Sequence, residues 1–179
     1  GPDAGAYYVD GPGRYYLDGD EPPGRWFGRA ATALGLAGEV DDDDFLSLMD
    51  GQDPASGELL GTRHHERTVR GFDVTCSAPK SVSVLFAIGD DRVRKEVLEA
   101  HDAAVAAAFG WFEDHAHCRY RVDGEVWTVD ARGLVAAAVR EHTSRAHEPQ
   151  LHTHLVILNR VMAPDGRWLA LDARTLKHD

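Results

Sequence analysis

The stretch that most constrains the fold is QLHTHLVILN, residues 150–159, in which two histidines precede an apolar run. The run from Leu155 to Leu158 is short and apolar, which is typical of a buried strand. His152 and His154 are separated by one residue, so on an extended strand both imidazoles point to the same face of a sheet. The two side chains can therefore bind one ligand.

A third histidine, His142, ends the segment GLVAAAVREH. The alanines favour a helix, but we predict a strand, because His142 must reach the same metal as the later pair. Three neutral nitrogen ligands on one side of a metal ion leave its other side open to substrate or water, as in catalytic sites. A His-x-His pair also arises by chance, as His115 and His117 show, so the pair alone does not establish a metal site.

The segment at residues 71–90, GFDVTCSAPKSVSVLFAIGD, predicts a strand from Phe72 to Cys76 followed by a helix. Ser77 is expected to cap this helix. The free amide groups at the helix start, with Ser77 and Lys80, could contact a phosphate, and a plain cap explains Ser77 equally well. Asp73 is an acid among the apolar residues of the strand, where an unpaired carboxylate would be costly.

Two tyrosine doublets, Tyr7-Tyr8 and Tyr15-Tyr16, flank a Gly/Pro turn near the beginning of the chain. Taken alone they are typical of a strand, a turn and a second strand, in which aromatic pairs contribute roughly 0.2–1 kcal/mol each. The next segment, GRWFGRAATALGL, predicts a helix that ends near Gly35. Its Trp26 could stack on a nucleic-acid base or anchor the core.

The charge of the chain is unevenly distributed. The formal net charge of −11 and the isoelectric point near 5.3 argue against a generic nucleic-acid binder, which is expected to be basic. Residues 1–53 hold 12 acidic and 3 basic side chains, whereas residues 131–179 hold 5 acidic and 7 basic ones. The part with the histidines is therefore compatible with a phosphate backbone.

The 179 residues, 43% of them apolar, are enough for one domain with a sizeable core. The sequence has no run of about 18 apolar residues and no signal-peptide pattern, so we expect a soluble cytoplasmic protein without a membrane span. The predicted elements imply an α+β fold: a central antiparallel sheet carries the histidines on its central strands, and helices pack on one face.

Taken together, these segments resemble a known family. HTSRAHEPQLHTHLVILNR is similar to the three-histidine motif of conjugative relaxases of the MobF group, the TraI/TrwC-like members of the HUH endonuclease superfamily. GFDVTCSAPKSVS resembles their GxDxTxSAPKSVS segment, and the tyrosine doublets match the place of their catalytic tyrosines. In that family the segment between the first and second histidines is usually one residue longer than here.

The resemblance implies the HUH palm, and it implies that residues 1–179 are a partial relaxase domain without its C-terminal part or a helicase. The implied activity is site- and strand-specific nicking and strand transfer at a plasmid origin of transfer, through a 5′-phosphotyrosyl DNA intermediate. The implied metal ligands are His142, His152 and His154. Family members work with Mg²⁺ or Mn²⁺, whereas three imidazoles also suit Zn²⁺, Ni²⁺ or Cu²⁺.

The resemblance also implies roles for single residues. Tyr7 would be the nucleophile, Tyr15 or Tyr16 would act on a second strand, and Tyr8 could equally support packing. Asp73 would orient a histidine or accept the tyrosine proton. The proposed DNA contacts, for which surface solvation or plain packing is the alternative, are Trp26, Ser77, Lys80, Arg145 and Arg160.

The implied partners are single-stranded DNA of an origin of transfer, relaxosome accessory proteins and a coupling protein. The full-length protein is expected in the bacterial cytoplasm and to be translocated with the DNA. Two other functions stay open. One is a rolling-circle replication initiator, which the SAPKSVS segment and the paired tyrosines disfavour, and the other is a non-catalytic DNA-binding module with a structural metal.

Overall fold

The computed structural model describes residues 22–65, 68–172 and 174. The doublets Tyr7-Tyr8 and Tyr15-Tyr16 therefore lie outside the described residues. The elements in chain order are β1 (Arg25–Phe27), α1 (Arg29–Ala33), α2 (Asp42–Met49), β2 (Gly71–Ser77), α3 (Lys80–Ile88), α4 (Asp91–Asp114), β3 (His117–Val122), β4 (Glu125–Asp130), β5 (Ala136–Thr143), β6 (Pro149–Leu158), β7 (Val161–Met162) and β8 (Trp168–Leu169).

Four of the strands form one antiparallel sheet in the order β1-β5-β6-β2. The histidine strand, β6, lies between β5 and β2, so His154 is opposite Val139 on one side and Thr75 on the other. The α+β class, the antiparallel sheet with the histidines on a central strand, and the assignment of GLVAAAVREH to a strand are confirmed.

Helices cover both faces of this sheet. Ala137 of β5 belongs to an apolar cluster with Phe45 of α2, whereas its neighbour Ala136 belongs to a second cluster with Val105 of α4. The prediction that helices pack on one face therefore holds for the long helix α4 and fails for α1 and α2. The reason is visible in the runs LVAAAV and LVIL: without a polar alternation, both faces of a strand are apolar and both require cover.

Two local predictions need correction. The helix predicted over GRWFGRAATALGL is the strand β1 followed by the five-residue helix α1, because Trp26 pairs with Ala137 of β5. Tertiary pairing here overrides local helix propensity. Ser77 is the last residue of β2 and does not cap α3, whose N-cap position is Pro79 without a side-chain hydrogen bond.

The 24-residue helix α4 fixes the edge of the sheet through a buried acid. Glu113 is 7% exposed, and its Oε1 accepts hydrogen bonds from the backbone amides of Arg29 at 2.7 Å and Leu134 at 2.9 Å. These two bonds connect the helix to the segments that lead into α1 and β5. None of the described helices has the length and apolar character that crossing a membrane requires.

Candidate metal centre

His152 and His154 lie on the same face of β6, as the strand period predicts. Their ring centroids are 5.0 Å apart, with an angle of 71° between the ring planes. His152 is 7% exposed and the His154 side chain is 15% exposed. Both imidazoles are thus largely removed from water while their neighbours on the other face, Leu151 and Leu155, are fully buried in the core.

One nitrogen of each imidazole is used by the protein itself. His152 Nδ1 lies 2.9 Å from the carbonyl oxygen of Gln150, and His154 Nδ1 lies 2.9 and 3.0 Å from the two carboxylate oxygens of Asp73. A carbonyl and an ionised carboxylate only accept, so Nδ1 is the donor in both rings. The Nε2 lone pair of each neutral ring is then available to a metal, and the bond at Nδ1 fixes the ring orientation.

The third member of the group is Glu141. The pairing of β5 with β6 puts Glu141 directly opposite His152, and Glu141 Oε2 lies 3.4 Å from His152 Nε2. Among the described residues, ligand atoms of Glu141, His152 and His154 lie within 4.8 Å of one another. These three side chains form a set of two nitrogens and one oxygen that could hold a divalent cation.

The His142 side chain is not a member of this group. The register of β5 against β6 shifts between Glu141 and Thr143, and the His142 ring packs against Phe86 of α3 with 4.9 Å between the ring centroids. Consecutive strand residues point to opposite sides, so Glu141 and His142 cannot both face the histidine pair without a further distortion. Among the described residues, the third member of the group is thus Glu141, the residue before the predicted His142.

A signal for Glu141 was present in the sequence. The relaxases that the sequence resembles usually have one more residue between the first and second histidines. The residue one position before His142 is Glu141. Thr75 was also missed: its Oγ1 lies 3.4 Å from His154 Nδ1. The alternation of polar and apolar residues in FDVTCS predicts that Asp73, Thr75 and Ser77 share a face of β2.

Asp73 occupies the position from which it can orient a ligand. It lies on β2 opposite Val156, two residue pairs along from the pair Thr75 and His154, and its side chain is 21% exposed. Of the two roles expected for Asp73, orientation of a histidine agrees with the observed contact. The tyrosines that the other role requires lie outside the described residues.

The candidate DNA contacts differ in their accessibility. Ser77 ends β2 opposite His152 and is exposed, on the face of the metal group. Lys80 begins α3, and its Nζ donates to Glu148 Oε2 at 2.8 Å, with both side chains more than half exposed. Arg145 is exposed in the turn between β5 and β6. These three residues lie near one end of the histidine strand.

Trp26 and Arg160 are less accessible than these three residues. Trp26 is partly buried and packs against the cluster of α1 and α2, which agrees with a core anchor. Arg160 is 5% exposed, and its Nη2 donates to the carbonyl oxygen of Thr62 at 2.6 Å. Burial lowers the pKa of the Arg160 guanidinium. Its side chain supports the segment around Thr62 and is too buried to contact a DNA backbone, contrary to the prediction.

Thr153 points to the face of β6 opposite the metal group and contacts the long helix α4 there. Its Oγ1 lies 2.9 Å from Nε2 of His101, a buried residue of α4. Burial lowers the pKa of His101, which favours its neutral form. Thr153, which lies between His152 and His154, is thus held in place by the long helix.

Comparison with known proteins identifies the family. The model of the TrwC relaxase family matches residues 2–179. The chain belongs to the TrwC relaxase family. It is 41% identical over 174 residues to the multifunctional conjugation protein TraI of Escherichia coli strain K12, a match that covers 95% of this chain and 9% of TraI.

Solved structures of the relaxase TrwC are similar to this fold. Metal-bound TrwC in complex with OriT DNA is 37% identical with a TM-score of 0.78, over 97% of this chain and 58% of TrwC. TrwC with a 27-mer DNA that comprises the recognition hairpin and the cleavage site is 36% identical with the same TM-score, over 93% and 58%. A copper-bound TrwC complex is 39% identical with a TM-score of 0.76, over 97% and 59%. The chain therefore spans less than two thirds of each of these relatives.

Proposed function

We propose that this chain is the nicking module of a conjugative relaxase, which cuts one DNA strand at an origin of transfer and stays covalently attached to the 5′ end. The observation that carries the proposal is the convergence of His152, His154 and Glu141 on one sheet face, with each imidazole fixed at Nδ1. Membership of the TrwC relaxase family supports it, because TrwC itself has been solved with metal and OriT DNA.

The donor set fits a divalent cation. A ring nitrogen of each histidine and a carboxylate oxygen lie close together on a largely buried surface, and the same end of the sheet carries exposed polar and basic residues. A divalent cation held by these three residues would supply Lewis acidity at the scissile phosphate, worth several kcal/mol of charge stabilisation.

The nucleophile in this proposal is Tyr7. A phenol has a pKa of about 10, so only about one molecule in a thousand is ionised at pH 7. A nearby positive charge is therefore needed to favour the phenolate, which is the attacking form. The tyrosine oxygen forms a bond to phosphorus while the bond from phosphorus to the 3′ oxygen breaks. The phenol loses its proton and the 3′ oxygen gains one, so the product keeps a phosphodiester for later religation.

The other residues act through position and charge. Asp73 orients His154, and Ser77, Lys80 and Arg145 bind the DNA backbone around the scissile phosphate. Tyr15 or Tyr16 attacks in the second transfer that ends conjugation, with Tyr8 in a packing role. We propose Mg²⁺ or Mn²⁺ as the working ion. We further propose that the protein works in the bacterial cytoplasm together with accessory proteins and a coupling protein. The full-length protein is then transported with the DNA.

A covalent-adduct assay tests this function. The protein is incubated with Mn²⁺ and single-stranded oligonucleotides from candidate origins of transfer, and the adduct is digested and sequenced by mass spectrometry. We expect a tyrosine-linked adduct at Tyr7 that chelation abolishes. Tyr7→Phe should remove the first adduct, whereas Tyr8→Phe serves as the neighbouring control. Cleavage that survives in a variant with Phe at Tyr7, Tyr15 and Tyr16 would exclude the tyrosine mechanism.

A further inference from the structure

The atoms that face each other in the metal group require a positive charge between them. His152 donates through Nδ1 to Gln150, so its Nε2 carries a lone pair, and this lone pair faces the Glu141 carboxylate at 3.4 Å. Two electron-rich atoms at this distance repel each other unless a proton or a cation lies between them. Because a ring nitrogen of His154 lies within 4.8 Å of the ligand atoms of both His152 and Glu141, one metal ion can satisfy all three donors together.

Burial strengthens this requirement. The Glu141 side chain is 15% exposed, and its ion pair in the structure is with His152, which is charged only if protonated. A carboxylate at this depth is costly without a cation or several hydrogen bonds. Asp73, the other acid on this face, is already bonded to His154 Nδ1.

We infer that Glu141 is the residue that sets the metal preference of this site. A site of three imidazoles has a neutral ligand set, and imidazole suits Zn²⁺, Cu²⁺ and Ni²⁺. Replacement of one imidazole by a carboxylate gives the ligand set a charge of −1 and one hard oxygen donor, which suits Mn²⁺ and Mg²⁺. The site therefore favours the hard ions more than a site with three histidines does.

The backbone register between β5 and β6 determines which residue of β5 faces His152. The β5–β6 pairing directs Glu141 to His152, while the neighbouring His142 packs on Phe86. A three-imidazole site would need the register irregularity between Glu141 and Thr143 to shift by one residue, so that His142 takes the place of Glu141 opposite His152. The observed register does not form this arrangement.

The inference rests on the proposed function for the presence of a divalent ion. Metal binding is therefore measured without DNA, so that a failure of nicking and a failure of the ligand assignment give different results. Mn²⁺ and Ni²⁺ are titrated separately into the full chain by calorimetry. The proteins compared are the wild type, Glu141→His, Glu141→Gln and His142→Asn.

Glu141→Gln, which keeps the shape and removes the charge, should lower Mn²⁺ affinity by at least about tenfold. Glu141→His should raise the ratio of Ni²⁺ affinity to Mn²⁺ affinity by at least about tenfold over the wild type. His142→Asn is the matched control and should bind both ions as the wild type does. Thermal unfolding without metal checks that each variant is folded. The ratio of Ni²⁺ affinity to Mn²⁺ affinity is measured within one protein, so it does not depend on the folded fraction.

Two results would overturn the inference. One is loss of binding in His142→Asn with retention in Glu141→Gln, which would mean that β5 rearranges to present the histidine. The other is an unchanged ratio of Ni²⁺ to Mn²⁺ affinity in Glu141→His, including the case in which neither ion binds the wild type because a proton on His152 occupies the place between the donors.

Discussion

Removal of the Asp73 carboxylate should weaken metal binding without disturbing the sheet. Asp73 lies on β2, an edge strand of the sheet, and accepts a hydrogen bond from His154 Nδ1 with both carboxylate oxygens at 2.9 and 3.0 Å. This bond fixes the orientation of the ring beside Glu141 and His152. In Asp73→Ala the ring loses the two carboxylate contacts that orient it, and the positive charge that it gains on metal binding loses a negatively charged neighbour.

The expected magnitude follows from the contact. A hydrogen bond to a charged acceptor contributes about 1.5–3 kcal/mol. Loss of the partner that orients a histidine ligand typically costs about 10–100-fold in metal affinity, which corresponds to about 1.4–2.8 kcal/mol. The two ranges overlap. With Asp73 21% exposed and His154 15% exposed, water screens the contact only in part.

Calorimetric titration with Mn²⁺ measures the effect. Thr75→Val is the matched control, because Thr75 is on the same strand face, is uncharged and lies farther from His154 Nδ1, at 3.4 Å. We expect a loss of at least about tenfold for Asp73→Ala and a much smaller change for Thr75→Val. Equal affinities in Asp73→Ala and the wild type would refute the assignment of Asp73 as the orienting residue.

Three further predictions concern stability and DNA binding. Glu113→Ala leaves two amides without an acceptor and should lower the free energy of unfolding in urea by about 2–5 kcal/mol, with a smaller loss in Glu113→Gln; equal losses would contradict the hydrogen-bond account. Burial lowers the pKa of His101 below 6.5, so the folded protein binds fewer protons than the unfolded chain. The free energy of unfolding should reach its full value above about pH 6.5 and fall as the pH decreases below it, less steeply in His101→Gln. An unchanged pH dependence in His101→Gln would argue against His101 as the cause. Lys80→Ala and Arg145→Ala should each reduce the log–log salt slope of single-stranded DNA binding by about 0.7, whereas the exposed Arg167→Ala should not; a uniform effect of all three would indicate non-specific attraction.

The features that sequence predicted best depend on the short-range geometry of strands. His152 and His154 share a face because a strand alternates with a period of two, and the apolar run that follows them fixes β6 in the sheet centre. The polar alternation that includes Asp73 likewise predicts a shared face on β2. That Asp73 reaches His154 additionally depends on the pairing of β2 with β6, which no local pattern specifies.

The features that sequence could not supply depend on register and on contacts between distant segments. Glu141 and His142 are adjacent, and the bulge in β5 decides which of them faces the histidine pair. Trp26 lies in a strand because β1 pairs with β5, although the segment favours a helix. Nothing in the sequence distinguishes Arg160 from an exposed basic residue, yet it is buried and its guanidinium donates to the carbonyl oxygen of Thr62.

Anomalous diffraction from crystals of this chain grown with Mn²⁺ tests the central claim most directly. The account predicts one strong Mn²⁺ peak on the face of β6, coordinated by Glu141, His152 and His154, with the His142 ring still packed on Phe86. A peak coordinated by His142 in place of Glu141, or the absence of a peak at this group under saturating Mn²⁺, would contradict it.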